Sequence, residues 1–178
     1  MPAASLEPDS LVELSAEVGR RCLRHGLSVV TAESCTGGLI GHALTEIAGS
    51  SAYYLGGAVS YSDRLKQELL GVPAALIAAH GAVSREVAEA MATGARSAFG
   101  ADVAVSVTGI AGPGGGSELK PVGLTWVAVA DATGVVAGQH IWAGDRSANK
   151  HASAQAALRL LVARLAQQAA GRPAPLAS

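Results

Sequence analysis

The segment Val29-Val30-Thr31-Ala32-Glu33-Ser34-Cys35-Thr36-Gly37-Gly38-Leu39-Ile40 constrains the fold of this chain more than any other. It opens with β-branched apolar residues and passes through small polar ones. It then runs into Leu39, Ile40, Ala43, Leu44 and Ile47, whose spacings are close to 3.6. A strand, a tight turn and a helix start therefore follow one another. The paired glycines permit unusual backbone angles and leave amide N–H groups uncovered. The hydroxyls of Ser34 and Thr36 would stand beside those amides, at the positive end of the helix. That place suits an anion, or an oxygen that becomes negative during a reaction. The plainer alternative is that Ser34 or Thr36 caps the helix.

The remaining sequence supplies more strands and helices. Leu11, Leu14, Val18, Cys22 and Leu23 mark a first helix that Gly26 ends. The helix after the opening segment runs to about Ala48. Leu55 to Tyr61 reads as a strand, and Ser62-Asp63 can cap the helix carrying Lys66, Leu69 and Leu70. Pro73 starts a short helix. Ser84 caps one running to about Phe99, with Val87, Ala88, Met91 and Ala95 inward. Asp102 to Thr108 is a core strand, and a glycine-rich loop follows it, Gly109 to Ser117. Val122–Ala130 and Val135–Trp142 are joined by so short a link that they must form an antiparallel hairpin. Asp145 opens a last helix with Ala154, Ala157, Leu158, Leu161, Val162 and Leu165 inward. The predicted class is α/β: a three-layer α/β/α sandwich around a mixed sheet of about five strands. One domain is expected over residues 11–170, with a flexible N-terminus at 1–10 and a disordered tail at 171–178.

Composition narrows the function classes. Apolar residues make up 49% of the chain but aromatics only 3%, so small aliphatic side chains must do the packing. Net charge is -1 and no basic run stands out, which argues against a nucleic-acid or membrane-binding surface. The two cysteines, Cys22 and Cys35, make no disulfide framework, and Cys22 reads as a buried helix residue. The N-terminal residues lack the pattern of a signal peptide, and no segment is apolar and long enough to span a bilayer, so a cytoplasmic location is expected. The histidines show no metal-binding spacing, and no metal or other cofactor is expected.

Several residues could carry chemistry. The loop Gly109 to Gly116 resembles a phosphate cradle but lacks the Lys-Ser/Thr of a Walker A loop and the register of a dinucleotide fold. It is either a surface turn or a ligand loop at a strand's C-terminal end. Ser34 has no nucleophile-elbow glycines and no evident histidine partner. Tyr61 and Lys66, however, can both point over the sheet edge that carries Ser34. A lysine kept neutral by desolvation, or a tyrosine near it, could accept the serine proton. Taken singly, the lysine would reach solvent and the tyrosine would pack. Cys35 is a weaker nucleophile candidate, because a residue beside a turn often faces the core. Arg146 offers a bidentate fork for phosphate or carboxylate, or a surface salt bridge.

Thr31-Ala32-Glu33-Ser34-Cys35-Thr36-Gly37-Gly38 resembles the signature of the C-terminal domain family of the competence-damage-inducible protein CinA. Further similarity lies in Gly56-Gly57-Ala58-Val59-Ser60-Tyr61 with Lys66 and Leu70-Gly71-Val72, and in Gly81-Ala82-Val83-Ser84. It continues through Thr108-Gly109-Ile110-Ala111-Gly112-Pro113, Gly115-Gly116, Lys120-Pro121-Val122-Gly123 and Gly144-Asp145-Arg146. The resemblance departs at Asp63, where asparagine or a similar residue is common, and at Lys150, where arginine is.

This resemblance implies a nicotinamide-nucleotide amidase, which hydrolyses nicotinamide mononucleotide to nicotinic acid mononucleotide and ammonia. It also implies a homo-oligomer, often a dimer, and a fold found alone or fused to a molybdopterin-binding-like domain. It assigns the nucleophile to Ser34, activated by Tyr61 and Lys66, and places Thr108 and Arg146 in the substrate site. Amides around Thr36, Gly37 and Gly38 would meet the oxyanion, and the loop bearing Gly112, Gly114 and Gly115 would hold the phosphate with Arg146. Two other functions are compatible with the same residues. One is a module of this fold that binds a nucleotide or phosphometabolite without turnover. The other is a phosphotransferase, disfavoured because an acidic metal pair is missing.

Overall fold

The computed structural model describes residues 10–171, without the side chains of 168–171. The flexible segments expected at 1–10 and 171–178 fall outside this range, apart from Ser10, the N-cap of the first helix, and Gly171, the last residue of the final one. In chain order the elements are α1 (Leu11–His25), β1 (Val29–Glu33), α2 (Leu39–Thr45), β2 (Tyr54–Val59), α3 (Asp63–Leu70), α4 (Ala74–His80), α5 (Arg85–Phe99), β3 (Val103–Gly109), β4 (Leu124–Asp131), β5 (Gly134–Ile141) and α6 (Arg146–Gly171). A single 3-10 turn, Ser50–Ala52, separates α2 from β2.

The strands form one five-stranded sheet in the order β2-β1-β3-β4-β5. β1 pairs in parallel with β2 on one side and β3 on the other, while β3–β4 and β4–β5 are antiparallel. The mixed sheet follows from connection length. Helical crossovers link the three parallel strands, whereas the turn between Asp131 and Gly134 can only reverse the chain.

Alternation along the strands decides which helices pack where. Val103, Val105 and Val107 of β3, with Val127 and Val129 of β4, face α1, α2 and α6, whose Leu14, Ile40, Leu158 and Leu161 complete one core. The opposite face presents small residues. Ala104 lies beneath Val87, Met91 and Ala95 of α5, and Ala128 and Ala130 beneath Ala88 and Ala92. With so little side chain between them, α5 comes close enough for Ser106 Oγ to donate to the Ala88 carbonyl at 2.6 Å. α5 also packs closely on the end of the helix Asp63–Leu70: a Cβ added at Gly94 would stand 1.7 Å from the Leu70 carbonyl oxygen. This is the three-layer arrangement expected from the sequence, and it needs almost no aromatic side chains.

Three details differ from the sequence pattern. Leu23 is 58% exposed, because it lies about 100° around α1 from the buried Leu14–Val18–Cys22 stripe. Leu69 is likewise exposed beside the buried Leu70. α2 stops at Thr45, short of Ala48. No described helix is long and apolar enough to cross a membrane.

Candidate active site

The carboxyl ends of β2, β1 and β3 lie side by side, and the chain leaves β1 and β2 toward opposite faces of the sheet. β1 leads into α2 on the α1/α6 side, and β2 leads into α3 on the α5 side. A crevice opens where the connections diverge. Ser34 follows β1 directly, Tyr61 and Lys66 follow β2, and Thr108 stands near the end of β3. These residues and Arg146 line one cleft of about 190 Å³, together with Cys35, Asp63 and Ala111.

The turn bearing Ser34 is held from within by Glu33, which is 1% exposed. Its carboxylate accepts from Thr36 Oγ1 at 2.6 Å, Gly38 N at 3.0 Å, Ile40 N at 3.1 Å and Gly41 N at 2.8 Å. It thus satisfies the first amides of α2 and places a negative charge at the positive helix end. This corrects the expected cap. The N-cap position is Gly38, with φ at 99°, and no hydroxyl caps the helix; Thr36 donates to Glu33 instead. The expected oxyanion donors also change. The Gly38 amide is taken by Glu33, the Gly37 amide donates to the Ser34 carbonyl at 3.1 Å, and neither glycine lines the cleft.

Lys66 is the second organising residue. It is 1% exposed rather than reaching solvent. Its Nζ lies 3.3 Å from Ser34 Oγ, 3.0 Å from the Ser60 carbonyl and 3.3 Å from the Tyr61 carbonyl. Asp63 Oδ1 is 3.7 Å away. Burial pulls the lysine below its ordinary pKa, and the nearby Asp63 carboxylate partly opposes that. The fold sets this position through the Ser62 cap, whose side chain accepts from Leu65 N, so that Lys66 lies on the first turn of α3 facing Ser34.

Tyr61 occupies a different place from the one its sequence position implied. β2 ends at Val59, and Tyr61 is 59% exposed at the rim. Its carbonyl faces Lys66, while its hydroxyl accepts from Arg146 Nη2 at 3.1 Å. Arg146 Nη1 donates to the Gly112 carbonyl at 2.7 Å, and Asp145 caps α6 by accepting from Ala148 N. Arg146 also borders an adjoining hollow shared with Ala111, Pro113 and Ser147. Gly112 is therefore brought to the site through its carbonyl, whereas Gly114 and Gly115 are exposed and line neither cavity. Thr108 is buried, and its hydroxyl donates to the Ala82 carbonyl at 2.9 Å, tying β3 to the cleft wall. Cys35 also borders the cleft, but burial pushes its thiol up to about 12, which leaves little thiolate near neutral pH.

Residues 11–165 match the family model described as the CinA C-terminal domain. The chain belongs to this CinA family. A CinA-like protein of Mycobacterium sp. (strain JLS) is 59% identical over 137 residues, covering 76% of this chain and 32% of that protein. One from Geobacter sulfurreducens is 48% identical over 159 residues, covering 89% and 38%. This CinA domain thus spans about a third of the length of the curated relatives it matches. Among solved structures, a competence/damage inducible protein from Agrobacterium tumefaciens superposes with TM-score 0.86 at 45% identity, covering 92% of this chain and all of that one. A CinA superfamily protein from Escherichia coli gives 0.84 at 31% identity, covering 92% and 95%.

Sequence reasoning passed over Glu33 and Asp63 as site residues. Both had a readable signal. Glu33 is an acid at the end of the β-branched run Val29-Val30-Thr31, just before helix amides that need acceptors. Asp63 stands three residues before Lys66, hence on the same helix face. Among the described residues no cluster of His, Cys, Asp and Glu could hold a metal ion.

Proposed function

We propose that this CinA domain is a serine amidohydrolase acting on the carboxamide of nicotinamide mononucleotide. The observation that carries the reading is the buried Lys66 Nζ, 3.3 Å from Ser34 Oγ. A neutral amine has two N–H groups and one lone pair. The carbonyls of Ser60 and Tyr61 accept the two N–H groups, which turns the lone pair toward the Ser34 hydroxyl. Desolvation favours the neutral amine that this role needs.

Ser34 Oγ attacks the carboxamide carbon as its proton passes to Lys66. The tetrahedral oxyanion is met by the amide of Cys35, which follows Ser34 and lines the cleft, since the Gly37 and Gly38 amides are already bonded within the turn. The C–N bond then breaks, and Lys66 returns the proton to the departing nitrogen, releasing ammonia. Water attacks the acyl-serine and gives its proton to Lys66. The Oγ–acyl bond breaks, Ser34 regains a proton, and nicotinic acid mononucleotide leaves. Tyr61 acts through its carbonyl on Lys66 and through its hydroxyl on Arg146. Thr108 holds the wall opposite, and Arg146, with the adjoining hollow, receives the phosphate.

Ammonia release from nicotinamide mononucleotide tests this directly, measured with and without EDTA. The wild type should release ammonia in both conditions. Ser34→Ala should release none while keeping its circular dichroism spectrum and melting temperature. Full activity in that variant would refute the serine mechanism. Binding of the nucleotide without any turnover by the wild type would favour the non-catalytic module instead.

A further inference from the structure

We propose that Asp63 makes this cleft selective for a carboxamide carried on a positively charged ring, because its carboxylate stands in the cleft wall beside Ser34 and 3.7 Å from Lys66 Nζ. The proposal rests on the amidase reading above and names the substrate class that the same site prefers.

Asp63 is the one carboxylate among the described residues that line the cleft. The nearby arginines are engaged elsewhere. Arg64, its neighbour on α3, is paired with Glu68 at 2.6 Å, and Arg146 is turned toward Tyr61 and Gly112. When Lys66 acts as a base it is neutral and no longer offsets the carboxylate. The described lining of the cleft then carries one carboxylate, Asp63, and one guanidinium, Arg146. A substrate with a cationic ring at one end and a phosphate at the other matches both charges. N-ribosylated pyridinium carboxamides have that form.

The same carboxylate works against a neutral substrate. Attack by Ser34 puts negative charge on the carboxamide oxygen, and Asp63 nearby disfavours it. A positive charge on the ring offsets this repulsion in the ground state and throughout the reaction. Asp63 has a side-chain exposure of 54%, so water screens the effect and keeps it modest.

Binding to the Ser34→Ala protein isolates the charge from turnover. Dissociation constants are measured by calorimetry at low salt for nicotinamide mononucleotide and for its dihydro form, which keeps the phosphate and carboxamide but has a neutral ring. The oxidised form should bind about fivefold more tightly. In Ser34→Ala/Asp63→Asn that preference should shrink toward one, and in Ser34→Ala/Asp63→Glu it should persist. A preference untouched by Asp63→Asn, or equal weakening of both ligands, would overturn the Asp63 proposal and leave the amidase reading standing. Failure of both mononucleotides to bind the Ser34→Ala protein would overturn the amidase reading and this proposal with it.

Discussion

Two corners of this molecule each bury an acid and a base, and they treat them in opposite ways. At the β4–β5 hairpin, Asp131 and Arg164 of α6 face each other directly. Arg164 Nε and Nη2 grip the two carboxylate oxygens at 2.5 and 2.9 Å, and the Asp131 side chain is fully buried. At the β1–α2 corner, Glu33 and Lys66 are equally buried, yet the only ion pair of Lys66 among the described residues is a longer one to Asp63. Glu33 is satisfied by backbone amides and the Thr36 hydroxyl, and Lys66 chiefly by carbonyls. The hairpin arrangement clamps a helix to a sheet, with a guanidinium that never loses its proton. The corner keeps its charges apart. Glu33 fixes the backbone beside Ser34, and Lys66 stays free to change protonation state.

Matched substitutions can break this contrast. Lys66→Met should lower kcat about 10³-fold, while stability changes by no more than about 1–2 kcal/mol, since a costly buried amine goes as two carbonyls lose a donor. Arg164→Met should do the reverse, destabilising by about 3–5 kcal/mol in urea because the buried Asp131 carboxylate loses both of its guanidinium bonds. Its kcat per folded molecule should equal wild type; a large drop would mean that the clamp also shapes the cleft. Glu33→Gln sits between them. An amide NH₂ opposes the turn's N–H groups, so Ser34 shifts, and kcat should fall about 10²-fold with little change in KM. Were KM to carry the loss instead, Glu33 would be acting on binding rather than on the nucleophile.

The smallest effect concerns pH. The rate should rise with pH as Lys66 becomes neutral, through a pKa lying below the usual lysine value. Of the groups that face it, the Asp63 carboxylate does most to favour its protonated form. Asp63→Asn removes that charge, so the rising limb of the kcat profile should move to lower pH. A limb that stays in place would show that Asp63 and Lys66 do not communicate.

Much of this architecture is visible in local sequence. Ser62, Ser84 and Asp145 cap helices where their spacing predicts, because a cap depends on residues two or three positions away. The valine–alanine alternation of β3 and β4 likewise sorts itself onto two faces. The site was legible as a set of residues but not as a set of roles. Ser34, Lys66, Thr108 and Arg146 do share one cleft. The bonding that the sequence did not show is that of groups with several possible partners. Gly37 and Gly38 looked like free donors until Glu33 and the Ser34 carbonyl were seen to hold them. Tyr61 looked like a proton carrier until its hydroxyl was found on Arg146.

The segment from Val29 to Ile40 thus determines a strand, a turn and a helix by itself, because β-branched residues, paired glycines and helical spacing act over a few residues. Burial is decided only by the folded sheet. Three parallel strand ends must come side by side before Lys66 loses its water and approaches Ser34, and desolvation of that kind depends on residues far apart in the chain.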